Sequence, residues 1–237
     1  MNLQEAKKEI LTKKDIHNIK TYCHFIDIGS EISCYNITSR QVIKIFDVTH
    51  VDTSRKLLIP DSIYGTDTFL FADAVQTYCN KIFSYTMKYV KGARLGKEDS
   101  INLFYNLSYD LLFKYIETLV NDSKTIANYG IQAFDCFENN IILSQSGFKQ
   151  IDCVDFFEKD IDPSIITKEN IRLMCQTIWD SLIAPRLSIF ISNNNLNQAD
   201  FCYSPHEFLV ELKRISEEKS DTEIITLNDT KKLIRRK

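Results

Sequence analysis

In the stretch "GIQAFDCFENNIIL", residues 130–143, an aspartate sits between aromatics, an asparagine follows five positions on, and an apolar run comes next. A carboxylate and an amide at that spacing, just ahead of a buried strand, suit a metal ion and a hydroxyl. They equally suit an ordinary turn. A further acid, Asp152, ends the run "FKQI" twelve residues beyond Asn140. If "NIIL" and "FKQI" pair as a hairpin, Asn140 and Asp152 come to the same end of it. Their oxygens then make a hard-ligand site of the kind that holds Mg2+ carrying phosphates. Asp135 stands nearby, placed to receive a proton from an attacking hydroxyl. The fourth residue is Lys44, inside "VIKIF". An ammonium among Val, Ile and Phe is costly unless it meets an anion, and a nucleotide phosphate would supply one. Each position has a plainer reading. A strand lysine is usually an edge or surface residue, an Asp-x4-Asn match is common by chance, and an acid after a strand is most often a turn former.

The elements that must carry these residues divide the chain in two. Residues 2–20 read as a polar helix. Strands are expected at 22–28, 33–37 and 41–48, followed by a short helix around "THVDTSRKLLI". "TFLFADAVQTY" and "KIFSYTMKYV" read as a hairpin across "CNK". After Gly92 the period changes. Leu103, Leu107, Leu111, Leu112, Tyr115 and Leu119 fall at helical spacing up to a stop at Asn128–Gly130. Two short strands, "NIILS" and "FKQIDCV", turn around "QSG". Helices follow through "ENIRLMCQTIWDSLI" and over 205–219, and the basic tail "TKKLIRRK" reads as a solvated end first and a docking element second. The expected fold is α+β, with two lobes: 1–90, an N-terminal helix plus an antiparallel sheet, and 91–237, a small helical lobe with the hairpin that follows Asp135.

Over about residues 22–183 this layout and these motifs resemble the protein-kinase-like superfamily, in a compact bacterial-type form. The resemblance implies roles. "VIKIF" is similar to the strand bearing the phosphate-binding lysine, which is Lys44 here. "YTMKYVKGARL" is similar to the lobe connector, with adenine bound near Tyr89 and Val90. "FDCFENN" resembles the catalytic loop, making Asp135 the base and Asn140 a metal ligand. "IDCV" resembles the metal-binding DFG element, making Asp152 the main Mg2+ ligand. Ile142 and Ile151 would line the floor of the adenine pocket. The sequence also departs from the pattern. The phosphate-covering loop "GSEISCY" keeps Gly29 but has Glu31 where a second glycine is expected. No Glu occurs between Glu31 and Glu98, so the lysine's helix partner is missing, with Asp52 or Asp61 as substitutes and Asp152 itself in the nucleotide-free state. Ala133-Phe134 replaces the His-Arg ahead of the catalytic aspartate, and DFG is Asp-Cys-Val. A short segment after Asp152 argues against a phosphorylation-switched activation loop.

Bulk properties bound the rest. The 237 residues, 44% hydrophobic and 26% charged, suit a soluble globular chain. A net charge of −3 argues against non-specific nucleic-acid binding. No apolar run reaches a membrane span, and the charged start "MNLQEAKKEILTKKD" lacks a signal-type core, so the expected location is cytoplasmic. The seven cysteines include no CxxC pair, which disfavours a zinc site or disulfide framework. The expected activity is ATP- and Mg-dependent transfer of the γ-phosphoryl group to a hydroxyl on a protein or small molecule. The alternative is a catalytically weak pseudokinase acting as a nucleotide-binding or protein-interaction module.

Overall fold

The computed structural model of the chain describes residues 8–28, 31–36, 41–46 and 66–235. Within these the fold is α+β: a mixed sheet in the N-terminal part, then mostly helix. The chain divides into two units. The first comprises Met1–Gly65, Leu70–Val90 and Asp152–Asp155; the second comprises Thr66–Phe69, Lys91–Ile151 and Phe156–Lys237.

The first unit is built on a six-stranded sheet. Its strands are β1 (Lys8–Ile10), β2 (Cys23–Ile28), β3 (Glu31–Asn36), β4 (Gln41–Phe46), β5 (Ala74–Tyr78) and β6 (Lys81–Lys88), in the order β1-β5-β6-β4-β3-β2. The expected antiparallel sheet is corrected to a mixed one, because β1 runs parallel to β5 with Lys8 opposite Val75. The expected helix over 2–20 is corrected too. Helix α1 spans Lys13–Tyr22, and Lys8–Ile10 is strand. The start is fixed locally: Thr12 Oγ1 accepts the Asp15 N–H at 3.3 Å and Asp15 Oδ2 accepts the Thr12 N–H at 2.7 Å, a reciprocal capping box. The β5–β6 hairpin turns on Cys79 and Asn80, both left-handed (φ 51° and 60°), as a tight two-residue turn with matching twist requires. The strand read through "TFLFAD" begins only at Ala74. The short helix expected around residues 49–59, and with it Asp52 and Asp61, lies outside the described residues, as does Gly29.

The second unit holds the helices. Residues 98–128, which read as one helical pattern, form two helices, α2 (Glu98–Asn106) and α3 (Tyr109–Asn128). Leu107 is extended, and the Ser108 hydroxyl caps α3 by accepting the Leu111 N–H at 3.2 Å. A serine offered to the backbone at that point favours a new start over continuation. Leu112, Tyr115, Ile116, Leu119, Ile126 and Ala127 give α3 a buried stripe. Strands β7 (Gly92–Arg94), β9 (Ile141–Ser144) and β10 (Gly147–Gln150) form a small sheet in the order β10-β9-β7, and β8 (Ile131–Gln132) pairs with β11 (Phe157–Glu158). At Gly92 an added Cβ would lie 2.5 Å from the Leu143 carbonyl oxygen, so the close β7–β9 approach excludes a side chain. Helix α4 (Pro163–Ile178) runs through a π-helical turn, Trp179–Ile183, into α5 (Ala184–Ser192). Pro185, with no N–H to donate, sits at the start of α5. Then come α6 (Gln198–Tyr203), α7 (Pro205–Glu218) and α8 (Leu227–Lys232). Trp179, Phe201 and Phe208 pack ring on ring, with centroids 5.4–6.0 Å apart, at the centre of this helical layer. Among the described residues no helix is long and apolar enough to cross a membrane.

Candidate functional site

In the first unit the chemistry centres on Lys44. Strand β4 lies between β3 and β6, so its middle residues are covered; Ile43 and Lys44 are buried, Lys44 to 8% exposure. Register sets Tyr85 of β6 directly opposite Lys44. The Lys44 ammonium donates to Asp152 Oδ2, and the Tyr85 hydroxyl donates to Asp152 Oδ1. The same ammonium lies 5.9 Å from the Tyr85 ring centroid. A buried cation is thus neutralised by a carboxylate 108 residues away in sequence, and both carboxylate oxygens receive charge-assisted hydrogen bonds. Asp152 holds a left-handed backbone, φ 69°. Of the carboxylate partners considered for Lys44, Asp152 is observed, and Asp52 and Asp61 lie outside the described residues. Tyr85 was not anticipated: inside "KIFSYTMKYV" it reads as one more apolar strand residue, and only the β4–β6 register reveals its place. Beyond the end of β6, Tyr89 is 41% exposed and Val90 is half-buried.

In the second unit the chemistry centres on Asp135. It too is left-handed, φ 54°. The Asn140 amide donates to Asp135 Oδ2 at 2.8 Å and to its carbonyl at 3.1 Å. The Phe137 N–H reaches the same carbonyl at 2.8 Å, and the Asn140 N–H closes the turn on the Phe137 carbonyl at 2.9 Å. The five-residue spacing of acid and amide is therefore the span of one tight loop. Asn140 ends a 3-10 turn, Glu138–Asn140, which leads directly into β9. The hairpin register sets Gln150 opposite Ile141, and one step further the Ile151 N–H donates to the Asn140 carbonyl at 2.8 Å. Asp152 is the next residue in the chain. Ile142, on the face of β9 opposite the buried Ile141 and Leu143, is half-buried, as is Ile151.

The loop is anchored from beneath by residues that carried no sequence signal. Asn170 of α4 is fully buried; its Oδ1 accepts the Ala133 N–H at 2.7 Å, and its amide donates to the Ile131 carbonyl at 3.1 Å. The Thr177 hydroxyl donates to the Cys136 carbonyl. Burial, with the Asp135 charge adding to it, pushes the Cys136 thiol up to about 12, so this cysteine stays protonated at neutral pH. Phe134 and Phe137 are more than half exposed on either side of Asp135.

Asp152 in the first unit carries a carboxylate and Asn140 in the second an amide oxygen, and each by itself is a hard donor of the kind Mg2+ takes. Among the described residues no three His, Cys, Asp or Glu side chains cluster as a self-sufficient metal site. The six cysteines whose side chains are described are free thiols. Comparison with protein-family models gives no match, and comparison with curated proteins gives none either.

Proposed function

We propose that the protein is an ATP- and Mg-dependent phosphotransferase with a two-lobed, protein-kinase-like fold, moving the γ-phosphoryl group to a hydroxyl acceptor. The observation that carries the reading is the Lys44–Asp152 pair. Lys44, buried in an apolar strand, meets the carboxylate that the sequence pattern marks as the metal ligand. In the proposed reaction Lys44 holds a nucleotide phosphate, and Asp152 with Asn140 holds the cation. Mg2+, when bound, supplies charge neutralisation between the phosphates. Asp135, oriented by Asn140, accepts the proton of the acceptor hydroxyl. Tyr89 and Val90 would bind adenine through the backbone, with Ile142 and Ile151 beneath it.

One observation favours the second reading, a nucleotide-binding or regulatory module without transfer activity. Both Asp152 oxygens are already engaged, by Lys44 and by Tyr85. Metal binding has to displace or share those donors.

The test is a paired measurement. Asp152→Ala is expected to abolish the Mg2+ dependence of ATP binding. Asp135→Ala is expected to keep Mg·ATP binding and lose phosphoryl transfer, by the 10²–10⁴-fold that a general base typically contributes. Wild-type protein that binds Mg·ATP but transfers phosphate neither to itself nor to candidate alcohols would select the second reading. Absence of nucleotide binding would end both.

A further inference from the structure

We propose that Gln150 is a positioning residue: one buried side-chain amide that braces the backbone at Asp135 and the backbone leading into Asp152. The inference rests on the reading of those two aspartates given above. Gln150 is the last residue of β10 and is fully buried. Its neighbours in the strand, Gly147, Phe148 and Lys149, are buried as well. A primary amide in such a place costs more than Leu or Met unless its hydrogen bonds are made. Its Nε2 donates to the Ile151 carbonyl at 3.1 Å and to the Asp135 carbonyl at 3.4 Å. Its backbone N–H is tied to the Thr68 carbonyl at 2.7 Å, so the strand end cannot drift.

The two carbonyls belong to or directly precede residues in an unusual conformation. Outside the Cys79–Asn80 hairpin turn, the non-glycine residues with positive φ among those described are Asp135, Asp152 and Asn195. A left-handed residue other than glycine is uncommon, though Asp and Asn adopt the conformation more readily than most, and it is kept where its surroundings hold it. At Asp135 the carbonyl has three donors. Phe137 N–H and the Asn140 amide come from the loop itself, so they shape the turn without fixing it to anything. Gln150 is the donor that comes from a strand. At the other end it grips the Ile151 carbonyl, one peptide before the left-handed Asp152. The same amide therefore adds, beside the ties from α4, a strand-borne hold on the backbone of the proposed base and on the peptide before the proposed metal ligand.

The experiment compares wild type with Gln150→Met, which keeps length and burial but has no donor. Three quantities are measured below the melting temperature of both: backbone hydrogen exchange, the Mg2+ concentration for half-maximal ATP binding, and kcat with KM for ATP. Exchange is expected to quicken in residues 133–140 and 151–155 and not in α3 or α7. The Mg2+ half-saturation point should rise severalfold. The turnover rate should drop roughly ten- to a hundredfold, the scale of an ångström of misplacement, with KM for ATP changed by less than about threefold. Unchanged exchange in both loops overturns the inference. So does exchange that quickens throughout the helices, or a lower melting temperature with kcat and Mg2+ requirement unmoved, because each marks Gln150 as packing only. Localised exchange in a protein whose wild type neither binds Mg·ATP nor transfers phosphate leaves the brace standing and removes the reading of the site.

Discussion

At the scale of single residues the decisive contacts converge on the Asp152 carboxylate. A carboxylate has about four acceptor positions, and here one oxygen takes the Lys44 ammonium and the other the Tyr85 hydroxyl. Lys44 cannot be removed without leaving the half-buried Asp152 carboxylate short of its counter-charge, a change that costs roughly 3–5 kcal/mol where both partners are fully buried and less where one keeps contact with water. Tyr85 is different. Tyr85→Phe keeps the ring against Phe46, whose centroid is 5.5 Å away, and leaves no orphaned group on the tyrosine side. The expected loss is about 1 kcal/mol of stability. If the phenol competes with a cation for Asp152, the variant should need less Mg2+ for half-maximal ATP binding. A Mg2+ titration unchanged by Tyr85→Phe would mean that the phenol does not compete for the oxygen proposed to take the cation.

At the scale of elements, the Asp135 loop is held by the helix it crosses. Asn170 satisfies the Ala133 N–H and the Ile131 carbonyl on either side of the β8 end. Asn170→Leu fits the burial but orphans both groups, at roughly 1–3 kcal/mol each. The expected result is a lowered melting temperature together with faster hydrogen exchange in residues 131–137. Exchange unchanged there would show that the loop does not depend on α4. Sequence made some of these supports visible and hid others for a physical reason. Lys44 stood out because a charge among apolar residues violates a local pattern, and Asp135 with Asn140 because their spacing is short enough to be one turn. Asn170 lies in "TKENIRLMC", where a polar residue looks like the solvent side of a helix; its burial is set by β8, 39 residues away. Gln150 and Tyr85 likewise take their meaning from strand register. The parallel β1–β5 pair joins residues 67 apart, which no local periodicity encodes. The break at Leu107–Ser108 was legible in principle, since Ser108 is a good cap, but the apolar spacing runs straight through it.

At the scale of the whole molecule, the described carboxylates that folding moves from their ordinary value fall into two groups whose effects on stability have opposite sign. Asp229 at the start of α8 is the clearest of the first. Burial pushes it up, but hydrogen bonds from Lys232, Thr226 and the Ile225 N–H outweigh this and hold it at about 2. Asp15 and Asp162 are lowered by hydrogen bonds at helix starts, from Thr12 and from Ser164. Glu169 and Glu211 are lowered by hydrogen bonds from Arg172 and Arg214. A carboxylate lowered on folding stabilises the native state above its ordinary value, and that contribution disappears as pH falls through the folded value. Stability is therefore expected to drop between pH 4 and pH 2. Asp229→Asn should begin lower at neutral pH, fall less steeply over that window, and meet wild type near pH 2. Asp122 of α3 runs the other way. Its carboxyl is raised, first by burial, although it accepts the Asp67 and Thr68 N–H groups at 2.9 and 2.6 Å. A raised carboxyl contributes most below its unfolded value and loses that contribution as pH rises through the folded one. Asp122→Asn keeps an oxygen for both N–H groups and removes the buried charge. It should match or exceed wild type at pH 7 and fall behind in relative terms toward pH 3, whereas Asp122→Ala, which orphans both donors, should be less stable at every pH. Melting temperatures of the three variants from pH 2 to pH 7 check both signs at once. An Asp122→Asn curve below wild type at neutral pH would mean that the two hydrogen bonds to the charged oxygen outweigh the cost of burying it.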